Sequence, residues 1–287
     1  MKRLAVLFFA IFVTLVACAE PAPAPGTALA DIAYKSGDNL TDYEKERCKL
    51  DLYLPADRPG FPTLLWFHGG GLTGGRKDEE FTAKIARFFA GKGIAVAAAN
   101  YRLSPKTPFP GYVEDAAAAF AWLRAHIAEQ GGDREKVLIG GHSAGAYLTA
   151  MLGMDVRYLK KFGLEPSVIA GLIPVSAQMM THYTVRAERG IGRNTIIADE
   201  AAPIYFTRKE TPPMLVIYAD NDMPARQQEN AYFVAAQKAA DNERVTGLMV
   251  GDRTHGSIAG KIPEPDDPAG TAIVEFIETI AKQRGSK

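Results

Sequence analysis

Ser143 stands in Gly141-His142-Ser143-Ala144-Gly145, directly after the aliphatic run 136–140 and directly before an alanine-rich stretch. Gly-x-Ser-x-Gly between a strand and a helix turns a serine hydroxyl outward at a sharp, strained bend, where it can attack a carbonyl carbon. The glycines are there for space, because side chains beside the serine would collide with neighbouring backbone. The helix that follows points its positive end at the serine, which favours a developing anion. A second group, His68-Gly69-Gly70-Gly71, follows the run 62–67. Acyl transfer passes through a tetrahedral oxyanion, and a glycine loop lets backbone N–H groups approach that oxygen with no Cβ in the way.

A serine nucleophile needs a base, and the base needs an acid. The chain has histidines at 68, 126, 142, 182 and 255. With an elbow of this kind the chain order is serine, acid, histidine. His68 and His126 precede Ser143, and His142 is its neighbour, expected to face away from the line of attack. His182 comes before any acid-bearing strand end. His255, in Arg253-Thr254-His255-Gly256 after the run 245–250, has the loop position of the base. The acid belongs after the run 214–219, in Asp220-Asn221-Asp222-Met223-Pro224, where a carboxylate would hold the imidazole tautomer and stabilise the imidazolium. Asp222 is preferred; Asp220, expected to brace the loop or cap the next helix, stays open as the alternative.

Two other chemistries use the same residues. Gly69-Gly70-Gly71-Leu72-Thr73-Gly74 also satisfies the dinucleotide fingerprint, but the next strand ends in Asn100 with no carboxylate for a ribose, and the serine elbow goes unexplained. Asp220 and Asp222 have calcium-loop spacing, yet Pro224 occupies the next alternate position and no glycine follows. The reading calls for no metal and no cofactor.

Seven strands are expected at 48–54, 62–67, 94–99, 136–140, 169–175, 214–219 and 245–250, and five helices at 78–90, 113–130, 144–152, 225–240 and 268–282. Asp133 and Pro268 stand where caps or first turns belong. Within 225–240, Tyr232, Phe233, Ala236, Ala239 and Ala240 share one side at helical spacing. Runs such as Leu64-Leu65-Trp66-Phe67 mark strands covered on both faces, as in a parallel sheet between layers of helices. Ligands in such sheets bind beyond the carboxyl ends of the strands, where the groups above are found.

The 287 residues include 33 basic and 33 acidic side chains, with 47% hydrophobic residues. That is globular composition, with no cationic cluster for nucleic acid. Lys2 and Arg3 followed by the apolar run 4–17 have the layout of a secretory signal. Leu15-Val16-Ala17-Cys18 resembles the bacterial lipobox, in which Cys18 would be lipidated. Residues 18–30 read as a Pro/Ala-rich tether and 31–287 as a single α/β domain. The expected location is therefore the periplasm or the cell surface, with membrane attachment only through a lipid on Cys18. Removing 1–17 takes away two basic residues and no acidic one, so the balance becomes 31 − 33 = −2. Cys48 then remains alone, and the fold does not rely on an internal disulfide.

Together these residues resemble the α/β-hydrolase superfamily. Within it they are similar to HGGG-bearing carboxylesterases: hormone-sensitive-lipase-like and acetylxylan-esterase-like enzymes, and bacterial kynurenine formamidase relatives. The resemblance covers nearly the whole exported chain. Leu50-Asp51-Leu52-Tyr53-Leu54-Pro55 looks like the family's leading strand, and Asn100-Tyr101-Arg102-Leu103-Ser104-Pro105 like the strand end after the glycine loop, with Arg102 a structural ion-pair partner. The resemblance implies a mostly parallel sheet flanked by helices, with the N–H groups of Gly70, Gly71 and Ala144 as oxyanion donors. It implies a serine hydrolase of small-molecule or polysaccharide-borne acyl esters; a formamidase-type amidase and a non-catalytic binding module are the other readings. The chain departs from the family at Ala219, where glycine is usual, in the short loop from Asp222 to Pro224, and at Leu72, where an aromatic is frequent. His142 also replaces a common aspartate. The only sizeable insertion, 176–210, predicts an open site under a small cap, suited to short acyl groups, with Met179, Met180, Tyr183 and Tyr205 as lining candidates.

Overall fold

The computed structural model describes residues 28–56 and 59–285. The expected signal segment, Cys18 and most of the expected tether lie outside the described residues. The strands are β1 (Ala28–Ala33), β2 (Lys49–Tyr53), β3 (Phe61–Phe67), β4 (Ala95–Ala99), β5 (Gly132–His142), β6 (Leu172–Val175), β7 (Met214–Asn221) and β8 (Val245–Thr254). The helices are α1 (Asp42–Arg47), α2 (Glu80–Gly91), α3 (Gly111–His126), α4 (Ala144–Met154), α5 (Val156–Lys160), α6 (Tyr183–Glu188), α7 (Arg226–Ala239), α8 (Ser257–Gly260) and α9 (Pro268–Gly285).

The strands form one sheet in the order β1-β2-β4-β3-β5-β6-β7-β8. The β1–β2 and β2–β4 pairs are antiparallel and the rest are parallel. Alternation of side chains along a strand explains how one apolar run serves two cores. Leu65 and Phe67 of β3 pack with Tyr112 and Phe120 of α3 and with Leu148 of α4. Leu64 and Trp66 point the other way, toward Phe89 of α2 and Ile273 and Ile277 of α9.

The register matters most for function. Phe67 pairs with both Ala99 and Gly141, His142 with Val175, and Asn221 with Thr254. His68, Ser143, Ser176, Asp222 and His255 each follow one of these positions directly, so the parallel ladder delivers all five to the same edge of the sheet. Nearby, the Arg102 guanidinium binds the fully buried Asp115 through Nε (2.8 Å) and Nη2 (2.7 Å), as a structural ion pair does.

Several local expectations are corrected. Residues 28–30, expected in the tether, belong to β1 and extend the sheet beside β2. Asp133 starts no helix. It lies in β5, where its carboxylate accepts from the Glu135 N–H, the same local bond a cap would make. The helix expected over 113–130 is α3 followed by a 3-10 turn, Ile127–Gln130, closed by Gly131 at φ 87°. The inward face of α7 also differs, because Tyr232 is 60% exposed whereas Glu229, Asn230 and Gln237 are buried with Phe233. These polar residues are buried because they have partners: the Asn230 amide donates to the Ala177 carbonyl (2.8 Å), and Glu229 accepts from the Met179 N–H (3.1 Å). Apolar periodicity does not register a helix face that holds a loop through hydrogen bonds.

Candidate active site

Ser143 sits between β5 and α4 with φ 57° and ψ −114°, a conformation that costs a non-glycine residue free energy and persists only where its surroundings impose it. Here the imposing contacts are close. A Cβ on Gly145 would overlap the Phe67 carbonyl, and one on Gly141 would meet the same carbonyl and the Gly145 backbone. The elbow therefore packs onto β3 with no room for side chains at either glycine.

The Ser143 Oγ lies 2.8 Å from His255 Nε2, and His255 Nδ1 lies 2.6 Å from Asp222 Oδ1. An ionised carboxylate can only accept, so Nδ1 carries the hydrogen and Nε2 is left to accept from the serine hydroxyl. Burial opposes charge on Asp222, whose side chain is fully buried, but hydrogen bonds from His255, Ser176 and the Met223 N–H hold its carboxyl below the usual range. Asp220 does something different: it accepts from the N–H groups of Asp252 (2.9 Å) and Arg253 (3.0 Å), bracing the loop that carries His255. The two aspartates left open by the sequence are thus separated by their partners.

The glycine loop is set by residues around His68. Arg47 Nη2 approaches His68 Nε2 (3.4 Å) and donates to the Gly75 carbonyl (3.1 Å), and the His68 ring stacks on Tyr101 at 4.4 Å. Since Arg47 only donates, the His68 proton is on Nδ1, which donates to the Gly69 carbonyl (2.7 Å). Gly70 and Gly71 follow with φ of 104° and 64°, and the Gly70 carbonyl accepts from the Thr73 and Gly74 N–H groups. This turn lies against the elbow, since a Cβ on Gly69 would come 3.5 Å from the Ser143 Cβ. Ala144, the third expected donor, is the first residue of α4 and is buried.

Three features were not anticipated. Ser176, at φ 53°, donates its hydroxyl to Asp222 Oδ2 (2.5 Å), and its carbonyl accepts from the buried Arg226 (2.7 Å). Its only sequence signal is its position one residue past β6. His142 does not merely face away. Its Nε2–H donates to the His255 carbonyl (2.7 Å), tying the elbow to the base loop, a bond that an ionised aspartate at this position could not donate. The small cap holds α6 and the 3-10 turn Pro203–Phe206, and only some of its expected lining reaches the site. Tyr183 packs its hydroxyl against Gly71, and Met180 is half-buried. Met179 is fully buried in the core, and Tyr205 is 60% exposed with its ring edge-on to Phe206. Large apolar residues in an insertion pack wherever the core has room, and their order in the chain does not reveal which ones do.

His68, His142 and His182 are all buried, and burial pushes the first two down to about 3 and the third well below its ordinary value. The folded protein therefore refuses protons that the unfolded chain accepts below about pH 6.5. The sign follows: this stability is complete above pH 6.5 and is lost as pH falls toward 3. All three histidines act in the same direction, so stability should fall progressively as pH drops below about 6.5. Urea midpoints at pH 7, 6, 5 and 4 test this, and a midpoint unchanged down to pH 5 contradicts it.

With its serine elbow and this mostly parallel sheet between helices, the chain has the α/β-hydrolase fold. It belongs to the prolyl oligopeptidase family, whose sequence profile matches residues 112–267, just over half of the chain; the BD-FAE profile matches residues 50–168. Esterase LipC of Mycobacterium tuberculosis is 27% identical over 227 residues, covering 72% of this chain and 56% of LipC. The chain spans about half the length of the curated relatives it matches. Among solved structures, a truncated carbohydrate esterase from gut microbiota superposes with a TM-score of 0.74 at 19% identity, covering 91% of this chain and 99% of that one. Esterase Est2 of Thermogutta terrifontis, solved with propionate bound, gives a TM-score of 0.66 at 23% identity, covering 91% and 95%. These two likenesses establish the fold.

Proposed function

We propose that the protein hydrolyses short-chain, acetyl-type esters, with Ser143 as nucleophile, His255 as general base and acid, Asp222 as the triad acid and the N–H groups of Gly70, Gly71 and Ala144 as oxyanion donors. The observation that carries the reading is the unbroken hydrogen-bonded line from Ser143 through His255 to a buried Asp222, at 2.8 and 2.6 Å. As Oγ bonds to the carbonyl carbon, its proton passes to Nε2 and the carbonyl electrons move onto the oxyanion. The carbon–alkoxy bond then breaks, and His255 returns the proton to the leaving alcohol. Water adds to the acyl-serine, giving a proton to His255; the Oγ–carbon bond breaks, Oγ recovers that proton, and the carboxylic acid leaves.

The preference for short acyl groups is supported by the small cap, in which the six-residue α6 is the only α-helix. Ester substrates are supported by the similarity to LipC, an esterase. Lys2, Arg3, the apolar run 4–17 and Cys18 support export with a lipid anchor, so that the ester, small or borne on polysaccharide, would be met outside the cytoplasm.

Rates on p-nitrophenyl acetate, butyrate and octanoate, beside p-nitroacetanilide, test the reading. The expected result is a kcat/KM at least about tenfold lower for octanoate than for acetate, with the anilide slower than any ester. Octanoate matching acetate would remove the short-acyl assignment, and an anilide faster than acetate would make the protein an amidase.

A further inference from the structure

We infer that the cavity beside the glycine loop, bordered by Tyr183 and Arg193, binds a carboxylate carried by the ester substrate; the inference deepens the hydrolase reading above and rests on it. The cavity has a volume of about 470 Å³ and is bordered by Thr73, Ser104, Tyr183, Thr184, Glu188 and Arg193. It adjoins the reacting centre through the loop itself. Gly69 lies beside Ser143, while Gly71 meets the Tyr183 hydroxyl and its carbonyl accepts from Thr184 Oγ1 (2.5 Å). Two Cα steps separate Gly69 from Gly71, about 7 Å at most, so the cavity that Tyr183 borders lies one loop away from the serine.

The charge at this wall is what selects the ligand. The Arg193 guanidinium lies 4.3 Å from the Tyr183 ring centroid, leaving its donors available for a planar, two-point contact with a carboxylate. The loop that carries it is held from below by the buried Arg186, whose Nη1 and Nη2 donate to the carbonyls of Thr195 (2.6 Å) and Arg193 (2.5 Å). A third guanidinium, Arg226, donates to the Ser176 carbonyl. Among the described residues, none of the three has a carboxylate within 4.0 Å. All three act on the buried His182, which burial and these cations keep neutral.

The acids facing this group are accounted for. Glu229 is spent on the Met179 and Met180 N–H groups, and Asp222 on His255 and Ser176. Glu188 is the only acid bordering the cavity. Its Oε2 accepts from the Phe109 N–H (2.9 Å) and its Oε1 is buried, so the carboxylate turns into the protein. What remains at the mouth is one cation without an ion pair, backed by two buried ones, with the Thr73 and Tyr183 hydroxyls beside it. That environment favours an anion in this cavity and disfavours a long alkyl chain.

The carboxylate could be carried on either side of the ester bond, and two substrate pairs distinguish the sides. Mono-p-nitrophenyl succinate against p-nitrophenyl butyrate reads the acyl side; 4-acetoxybenzoate against 4-methylphenyl acetate reads the alcohol side. The quantity read is the ratio of kcat/KM for the charged ester to that for its neutral partner. We expect this ratio to fall about tenfold in Arg193→Gln on one side, less in Arg193→Lys, and to fall in the parent protein as salt rises to 0.5 M. Ratios unchanged by Arg193→Gln on both sides would overturn the inference. Calorimetric titration of Ser143→Ala with succinate and with 4-hydroxybenzoate gives a reading independent of turnover, in which one of them binds and Arg193→Gln abolishes that binding. If the neutral esters are not hydrolysed at all, the hydrolase reading fails and the titration alone decides; absence of binding by both acids would then sink the carboxylate site as well.

Discussion

Ser143→Ala is expected to lower kcat for p-nitrophenyl acetate by about 10⁴- to 10⁶-fold, because it removes the hydroxyl proposed as the nucleophile and leaves only binding and the proposed oxyanion donors. The Ser143 hydroxyl has a single side-chain partner, His255 Nε2, so the same substitution should shift unfolding free energy by only about 1 kcal/mol. A large loss of turnover without a large loss of stability is therefore the signature sought. Ser143→Gly sharpens it. Glycine accepts φ 57° without strain, so this variant should be as inactive and more stable by about 1 kcal/mol. A residual rate above a tenth of the parent's would mean that some other group performs the chemistry, and the hydrolytic assignment of the elbow would have to be abandoned.

The second large effect separates two neighbouring aspartates. Asp222→Asn should lower kcat by about 10⁴-fold while leaving the fold in place. An asparagine amide can donate to Nδ1 and so favours the tautomer in which Nε2 carries the proton and cannot accept from Ser143. Asp220→Asn should act differently. Asp220 touches neither His255 nor Ser143, and its hydrogen bonds to the Asp252 and Arg253 N–H groups hold the loop. Its substitution should lower the melting temperature and keep kcat within about tenfold, the range left when a supporting contact is disturbed but the reacting groups stay. The reverse ranking, with Asp220→Asn the more damaging to kcat, would reassign the triad acid.

Much of this was legible in the residues. The elbow and the glycine loop are local patterns, and local patterns are what backbone sterics impose; the order serine, acid, histidine is a property of the whole chain that points to His255. Gly145 is glycine because the Phe67 carbonyl leaves no space for a Cβ, and that demand appears in the sequence as a pentapeptide. The apolar runs of β3 and β4 report burial on both faces for the same reason. Less legible were groups whose role depends on a partner far along the chain. Ser176 is one serine in an insertion until β6 and β7 pair and bring it to Asp222, 46 positions away. His142 was set aside by its adjacency to the nucleophile, yet its bond to the His255 carbonyl spans 113 positions. Glu229 and Asn230 of α7 look like a solvated face and are buried, because the loop after β6 needs their hydrogen bonds.

The sequence by itself determined the parallel α/β architecture and singled out Ser143 and His255 as candidates, the architecture and the elbow through periodicity and spacing that short stretches of backbone enforce, and His255 through its place in the chain order. Only the tertiary structure decided which aspartate meets His255, which cap residues reach the glycine loop, and that Arg193, bordering a cavity, has no ion pair among the described residues. Those are outcomes of how separate segments pack, and packing is decided by the whole set of contacts at once: a side chain's chemistry is carried in the sequence, but its partner is chosen by the fold.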